Sequence, residues 1–275
     1  MIDLHCHILP GIDDGATDLS MALAMAQIAV KDGIHTIGCT PHIYPGMYEN
    51  TTRGIRSAVA AFQAELDQRA IALRLVEGAD VYLEPDLVSG IDAGRVPTLA
   101  GSRYLLLEPP HHVAPPRFEE SVFQLTLAGY VPVITHPERL TWLPDHYRMF
   151  SRLVKSGTWM QITAGSVTGR FGRQPRYWSE RMLDDGIVHI LATDSHHPTR
   201  RPPLLAEARH AAAIRVGARE AEHLVVTRPR GIVNDSAPSE LPPLPNSKSA
   251  LKANGGFWKS LARGTQFATS DGRRT

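Results

Sequence analysis

Seven short apolar segments, beginning near Ile2, Thr36, Leu73, Tyr104, Val131, Trp159 and Val188, each end at or beside a histidine, aspartate, glutamate or amide. Stretches with helical periodicity run between them. Met21, Ala24, Met25, Ile28 and Ala29 form an apolar stripe behind Thr17 and Asp18, which suit an N-cap, and ahead of Gly33, which suits a stop. Ile55, Val59, Phe62 and Leu66 form a second stripe, and residues 118–127, 147–154, 177–183 and 204–214 are further helix candidates. About seven alternations of strand and helix argue for parallel strands joined by crossover helices. In such barrels the C-terminal ends of the strands build the active site, and that is where these polar residues fall. The pattern describes an α/β barrel that carries a metal site.

The richest segment end is Asp3-Leu4-His5-Cys6-His7. Alternate residues of a strand face the same way, so one strand can present two imidazoles to one ion. Downstream come His42 after Thr40-Pro41, Asp80 in Gly78-Ala79-Asp80, Glu108 after Leu105-Leu106-Leu107, His136 in Thr135-His136-Pro137-Glu138-Arg139, and Asp194-Ser195-His196. Nitrogen and carboxylate donors without thiolates favour Mn, Fe, Zn or Co. Taken singly, a strand-end histidine is ordinarily a surface residue and a strand-end carboxylate ordinarily caps the next helix. Repetition at one end of every strand outweighs that reading. His111, His112, His197 and His210 lack this placement and read as surface or supporting residues. Asp13-Asp14-Gly15 fits a plain turn and a turn that adds a ligand equally well.

With 275 residues, 43% of them hydrophobic, the chain can bury the core of one large α/β domain. A formal charge of +1 gives no electrostatic argument for nucleic acid. No uncharged run reaches the roughly 18 apolar residues of a spanning helix. The N-terminus enters the His5/His7 strand without a basic region and apolar signal core, so a cytoplasmic protein is expected. Cys6 and Cys39, inside the first two strands, read as compact core residues. A cysteine phosphatase would place an arginine six residues on, where this chain has Ile12 and Pro45, so that chemistry is excluded. The pattern changes near Arg230. Residues 1–235 are expected to form the barrel domain, and residues 236–275, rich in proline and serine with Phe257 and Trp258 near their middle, a flexible tail.

Together, the run from Asp3 to Gly15, Thr40-Pro41-His42, Thr135-His136-Pro137-Glu138-Arg139, Asp194-Ser195-His196 and Arg201-Pro202-Pro203 resemble the polymerase-and-histidinol-phosphatase (PHP) superfamily. More narrowly, they resemble its bacterial tyrosine-phosphatase branch, the capsule and exopolysaccharide regulators of the CpsB/YwqE type, from Met1 to about Ile232. The resemblance implies a distorted seven-stranded (βα) TIM-like barrel of the PHP type holding three divalent metal ions, usually Mn²⁺. By position, His5, His7, Asp80 and Asp194 would hold one ion, Asp80, Glu108 and His136 a second, and Asp14, His42 and His196 a third. Arg139 and Arg201 would meet the phosphate, with His42 as a further catalytic group. Asp80 departs from the family pattern, in which a glutamate commonly bridges two ions.

The chemistry agrees with these residue types. A phosphate monoester repels nucleophiles, so several cations must gather its oxygens and activate a hydroxide, while arginine forks bind its equatorial oxygens. The resemblance thus implies a metal-dependent phosphotyrosine-protein phosphatase acting on the C-terminal tail of a bacterial tyrosine kinase that regulates exopolysaccharide or capsule synthesis. The alternative within the superfamily is a phosphoesterase for a small phosphomonoester such as histidinol phosphate. A metal-binding scaffold that holds the kinase without turnover is a third reading.

Overall fold

A computed structural model describes residues 1–245. Among the described residues, nine strands, all paired in parallel, form two sheets. The first sheet has the order β1 (Ile2–Cys6), β2 (Thr36–Cys39), β4 (Arg74–Glu77). The second runs β3 (His42–Ile43), β5 (Asp80–Tyr82), β6 (Tyr104–Glu108), β7 (Val131–Thr135), β8 (Trp159–Thr163), β9 (Ile190–Ala192). The division falls at two interruptions. Pro41, between β2 and β3, has no N–H to give a ladder. Between β4 and β5, a Cβ on Gly78 would come within 2.8 Å of Leu99 and 3.1 Å of Thr40. The far edges also meet: Asp194 N–H donates to the His5 carbonyl (2.8 Å) and His7 N–H to that of Ser195 (2.9 Å).

Helices connect the strands: α1 (Leu19–Lys31), α2 (Thr52–Gln68), α3 (Leu87–Asp92), α4 (Phe118–Leu127), α5 (Leu143–Lys155), α6 (Ala164–Val167), α7 (Arg173–Asp184), α8 (Ala206–Val216), α9 (Ala218–Glu222) and α10 (Arg228–Val233). The expected stripes overlap their buried faces, which on α1 turn toward Ala22 and Ala26 and leave Met21, Ala24 and Ile28 half-buried. Met25 and Ala29 of α1, and Ile55, Phe62 and Leu66 of α2, are all buried. The Asp18 carboxylate caps α1 by accepting from Met21 N–H (2.9 Å).

Period-two alternation divides the core. Ile2, Leu4, Tyr104, Leu106, Val131, Val133, Trp159 and Ile190 form one apolar cluster with Ile232 of α10. Their strand neighbours Leu105, Leu107, Ile134, Met160, Ile162 and Leu191 belong to the larger cluster beneath the helices. On β1 the alternation breaks. Asp3 pairs with Ile37 and Cys6 with Cys39, so β1 carries one extra residue. This bulge is what lets Ile2 and Leu4 lie in the apolar cluster while His5 and His7, of opposite parity, face the polar end. Gly38 makes room for it, since a Cβ there would approach the Leu4 backbone to 3.0–3.2 Å.

The packed chain extends beyond the expected boundary at 235. Tyr104 Oη donates to the Ser236 carbonyl (2.8 Å), and the buried Arg228 guanidinium donates to the carbonyls of Pro242 (3.0 Å) and Pro243 (3.1 Å). Leu241 covers Gly231, where a Cβ would be 2.3 Å from its Cδ2. Residues 246–275, with Phe257 and Trp258, lie outside the described residues.

Candidate metal centre

The strand ends place five histidines and three carboxylates in one depression. His5 and His7 follow the β1 bulge, His42 opens β3, Asp80 opens β5, Glu108 closes β6, His136 follows β7, and Asp194 and His196 follow β9. The Asp13-Asp14-Gly15 loop folds back onto β1: Ala16 N–H donates to the His7 carbonyl (3.0 Å). A Cβ on Gly15 would lie 2.0 Å from that carbonyl oxygen, so only glycine allows this approach. Of the two readings of this turn, the structure has the one that adds polar groups to the site.

Three groupings of donor atoms overlap around the depression. At its floor, His5 Nε2 lies 3.2 Å from His7 Nε2 and 3.4 Å from both Asp80 Oδ2 and Asp194 Oδ1. Beside it, Asp80 Oδ2 is 3.7 Å from His136 Nε2, and Glu108 Oε1 is 3.6 Å from the same nitrogen. At the rim, Asp14 Oδ1 is 3.6 Å from His42 Nε2 and 3.4 Å from His196 Nε2. These separations exceed those of charge-assisted hydrogen bonds. Those at 3.2–3.4 Å match the spacing of about 3.0–3.4 Å between ligands that share one ion about 2.1 Å away, and those at 3.6–3.7 Å lie just beyond it. Both Asp80 oxygens and the Nδ1 atoms of His42 and His136 are buried without a hydrogen-bond partner. Three buried carboxylates, Asp80, Glu108 and Asp194, gathered in so dry a place need cations to offset them. The donor set therefore fits divalent metal.

Neighbouring groups aim the rings. Gln161 Oε1 lies 2.8 Å from His5 Nδ1 and Asp13 Oδ2 2.7 Å from His7 Nδ1, so each imidazole turns Nε2 toward the site. Asp13 is also anchored by Gly15 N–H (2.9 Å) and His42 N–H (3.3 Å). His136 and Asp194 adopt left-handed backbone conformations with φ of 35° and 49°. Non-glycine residues are strained there, and such strain gathers at functional sites.

The metal-free electrostatics are strongly perturbed. Burial disfavours a charged His5, but Asp80 and Asp194 outweigh it and hold its pKa at about 9. His42 is likewise opposed by burial yet raised to about 10, by the Glu108 carboxylate 3.2 Å from its Nδ1 and the charge of Asp80. His136 is lowered to about 4 by burial and then by Arg139. Burial pushes both thiols upward, to well above the ordinary range for Cys6, so neither is a nucleophile.

Asp194 divides its carboxylate. Oδ1 faces His5, His7 and His196 at 3.4–3.5 Å, while Oδ2 accepts from Arg139 and, at 2.6 Å, from Arg201. The two arginines expected to meet a phosphate thus converge on one anionic oxygen at the edge of the cluster. All nine residues expected as metal ligands are brought together. His111, read as a surface or supporting residue, is the second: its Nε2 is 3.3 Å from Glu108 Oε1 and it groups with Glu108 and His136. The sequence reading missed two supporting residues. Asp13 carried a signal in its place beside Asp14. Gln161 carried none.

A parallel α/β fold with such a depression has the makings of a metal-dependent enzyme. The chain belongs to the "Capsular polysaccharide synthesis, CpsB/CapC" family, whose profile matches residues 1–234. It is 35% identical to the tyrosine-protein phosphatase YwqE of Bacillus subtilis (strain 168) over 201 residues, 73% of this chain and 79% of that protein. It is 29% identical to the tyrosine-protein phosphatase CpsB of Streptococcus pneumoniae over 240 residues, 86% of this chain and 99% of that one. Among solved structures, one from work on YwqE and CpsB as unique metal-dependent tyrosine phosphatases superposes with a TM-score of 0.83 at 32% identity, covering 86% of this chain and 96% of that chain. Histidinol phosphate phosphatase of Lactococcus lactis subsp. lactis shares the fold alone, with a TM-score of 0.52 at 14% identity over 80% of this chain and 93% of that chain.

Proposed function

We propose that this chain is a metal-dependent phosphotyrosine-protein phosphatase acting on a bacterial tyrosine kinase tail in exopolysaccharide or capsule synthesis. The observation that carries the reading is the convergence of Arg139 and Arg201 on a single carboxylate oxygen beside the ligand cluster. Two guanidinium forks over a polynuclear metal site suit a phosphoryl group. The family's tyrosine phosphatases at about one-third identity favour a phosphotyrosine substrate, whereas the histidinol phosphate enzyme offers a likeness of fold only.

Three divalent ions, Mn²⁺ by preference, would be held by His5, His7, Asp80 and Asp194, by Asp80, Glu108 and His136, and by Asp14, His42 and His196. When bound, they would gather the phosphoryl oxygens and lower the pKa of water. Arg139 and Arg201 orient the monoester and stabilise the charge on its equatorial oxygens. His42, partly open to solvent at the rim, acts through the third ion it would hold, since a phenolate leaving group, with a pKa of about 10, needs little protonation. The nine strands read as seven barrel staves, with β2/β3 and β4/β5 each one interrupted stave. Residues 1–235 are the catalytic domain, and the protein acts in the cytoplasm. No described helix is long and apolar enough to cross a membrane.

The test is phosphate release from a phosphotyrosine peptide by metal-stripped protein, with and without Mn²⁺, beside histidinol phosphate. Manganese-dependent release from the peptide is expected. It should be lost in His136→Ala, and it should fall by on the order of a hundredfold in Arg139→Ala with metal retained. Release from histidinol phosphate alone would refute the assignment.

A further inference from the structure

Phe171 lies in the turn between α6 and α7 and has no part in the ligand cluster. Its ring faces both arginines, with the guanidinium carbon of Arg139 5.2 Å and that of Arg201 5.5 Å from the ring centroid. The ring is itself immobilised. It rests on Gly165, where a Cβ would come within 2.8 Å of Cζ and 2.9 Å of Cε1. Phe171 N–H donates to the Gly165 carbonyl (3.2 Å).

Two guanidiniums held this close repel each other. Asp194 Oδ2 offsets that repulsion from one side. The negative face of the ring offsets it from the other, because an aromatic quadrupole attracts cations above it. Glycine at position 165 lets the ring sit low enough to reach both arginines at once. We propose that Phe171 is a positioning residue that holds Arg139 and Arg201 as a single clamp for the phosphoryl oxygens. This rests on the reading of the two arginines as the phosphate-binding pair.

The experiment compares wild type with Phe171→Leu, which keeps an apolar side chain but removes the π face, and with Phe171→Tyr and Phe171→Trp, which keep it. Each protein is loaded with Mn²⁺ and assayed on a phosphotyrosine peptide, with inorganic phosphate as competitive inhibitor and with metal content and thermal unfolding measured alongside. Two partly exposed cation–π contacts predict a roughly five- to thirtyfold fall in kcat/KM for Phe171→Leu. A comparable weakening of phosphate inhibition and unchanged metal content should accompany it. The aromatic variants should stay within about threefold of wild type, and Phe171→Leu should add no loss in an Arg139→Ala/Arg201→Ala background, where only the residual rate is left to lose.

Wild-type behaviour of Phe171→Leu overturns the assignment, as does equal loss in all three variants at intact stability. A raised KM with unchanged phosphate inhibition places the ring against the substrate's phenol and also overturns it. A wild-type protein with no manganese-dependent release from the peptide sinks the phosphatase reading instead, and the clamp with it.

Discussion

Asp13 should govern which nitrogen of His7 is free to bind metal, and Asp13→Asn tests this with a change of one atom. The carboxylate accepts from His7 Nδ1 at 2.7 Å and His42 N–H at 3.3 Å through Oδ2, and from Gly15 N–H at 2.9 Å through Oδ1. An asparagine must put its NH₂ in one of these two positions. Toward Gly15 it meets a backbone donor that cannot become an acceptor. Toward His7 it meets an imidazole that can, by moving its proton from Nδ1 to Nε2. The second arrangement loses only the long bond from His42, so it should prevail. His7 Nε2, 3.2 Å from its His5 counterpart, then carries hydrogen where a lone pair is required. Restoring the lone pair breaks the new hydrogen bond, at a cost of about 2 kcal/mol, or roughly thirtyfold in metal affinity. Calorimetric titration of the stripped protein with Mn²⁺ measures this directly. Nitrogen chemical shifts of the metal-free variant should report His7 protonated at Nε2. An affinity within twofold of wild type, or a proton still on Nδ1, would refute the reasoning.

Three further outcomes are expected. Metal binding should strengthen with pH across 6–8: the metal-free site keeps protons on His5 to about 9 and on His42 to about 10, the loaded site has none there, and each displaced proton adds up to about tenfold per pH unit. Calorimetry in buffers of different ionisation heat should register that proton release, and a pH-independent affinity would contradict it. His111→Ala should weaken metal binding or turnover by about tenfold, as loss of a group in contact with a metal-ligating carboxylate typically does; an unchanged enzyme returns His111 to the surface. A chain ending at 235 should be less stable than one ending at 245 by about 3–6 kcal/mol in urea, because buried Arg228 loses two carbonyl acceptors. Equal midpoints would show that residues 236–245 add nothing.

Much of the framework is legible in the chain because strand ends and helix stripes are local. Asp18 marks a cap, and Ile55, Phe62 and Leu66 a buried face. The gathering of His5 through His196 also follows from strand-end placement, since parallel strands deliver all their C-terminal ends to one place. What stayed hidden depends on distant partners. His111 sits in a loop, and only the fold of that loop brings it to Glu108. Gln161 looks like any strand amide until His5, 156 residues away, is beside it. Phe171 has no polar atom to advertise it. The left-handed turns at His136 and Asp194 carry no local mark, since histidine and aspartate occur far more often in ordinary backbone even though they enter this region more readily than other side chains. The packing of residues 236–245 stayed hidden because proline and serine signal a linker equally well when their carbonyls are spoken for by a buried arginine.

The extra residue in β1 makes one short strand serve two masters: its first half is floor and its second half is ceiling. Such a segment tolerates exchange of letters far better than a change in their number. Deleting any one residue between Asp3 and Cys6 would restore even alternation and so turn either the oily base or the paired imidazoles to the wrong side. Natural variation in this strand should therefore run through substitution at fixed length, with Gly38 opposite as the position that cannot gain a side chain.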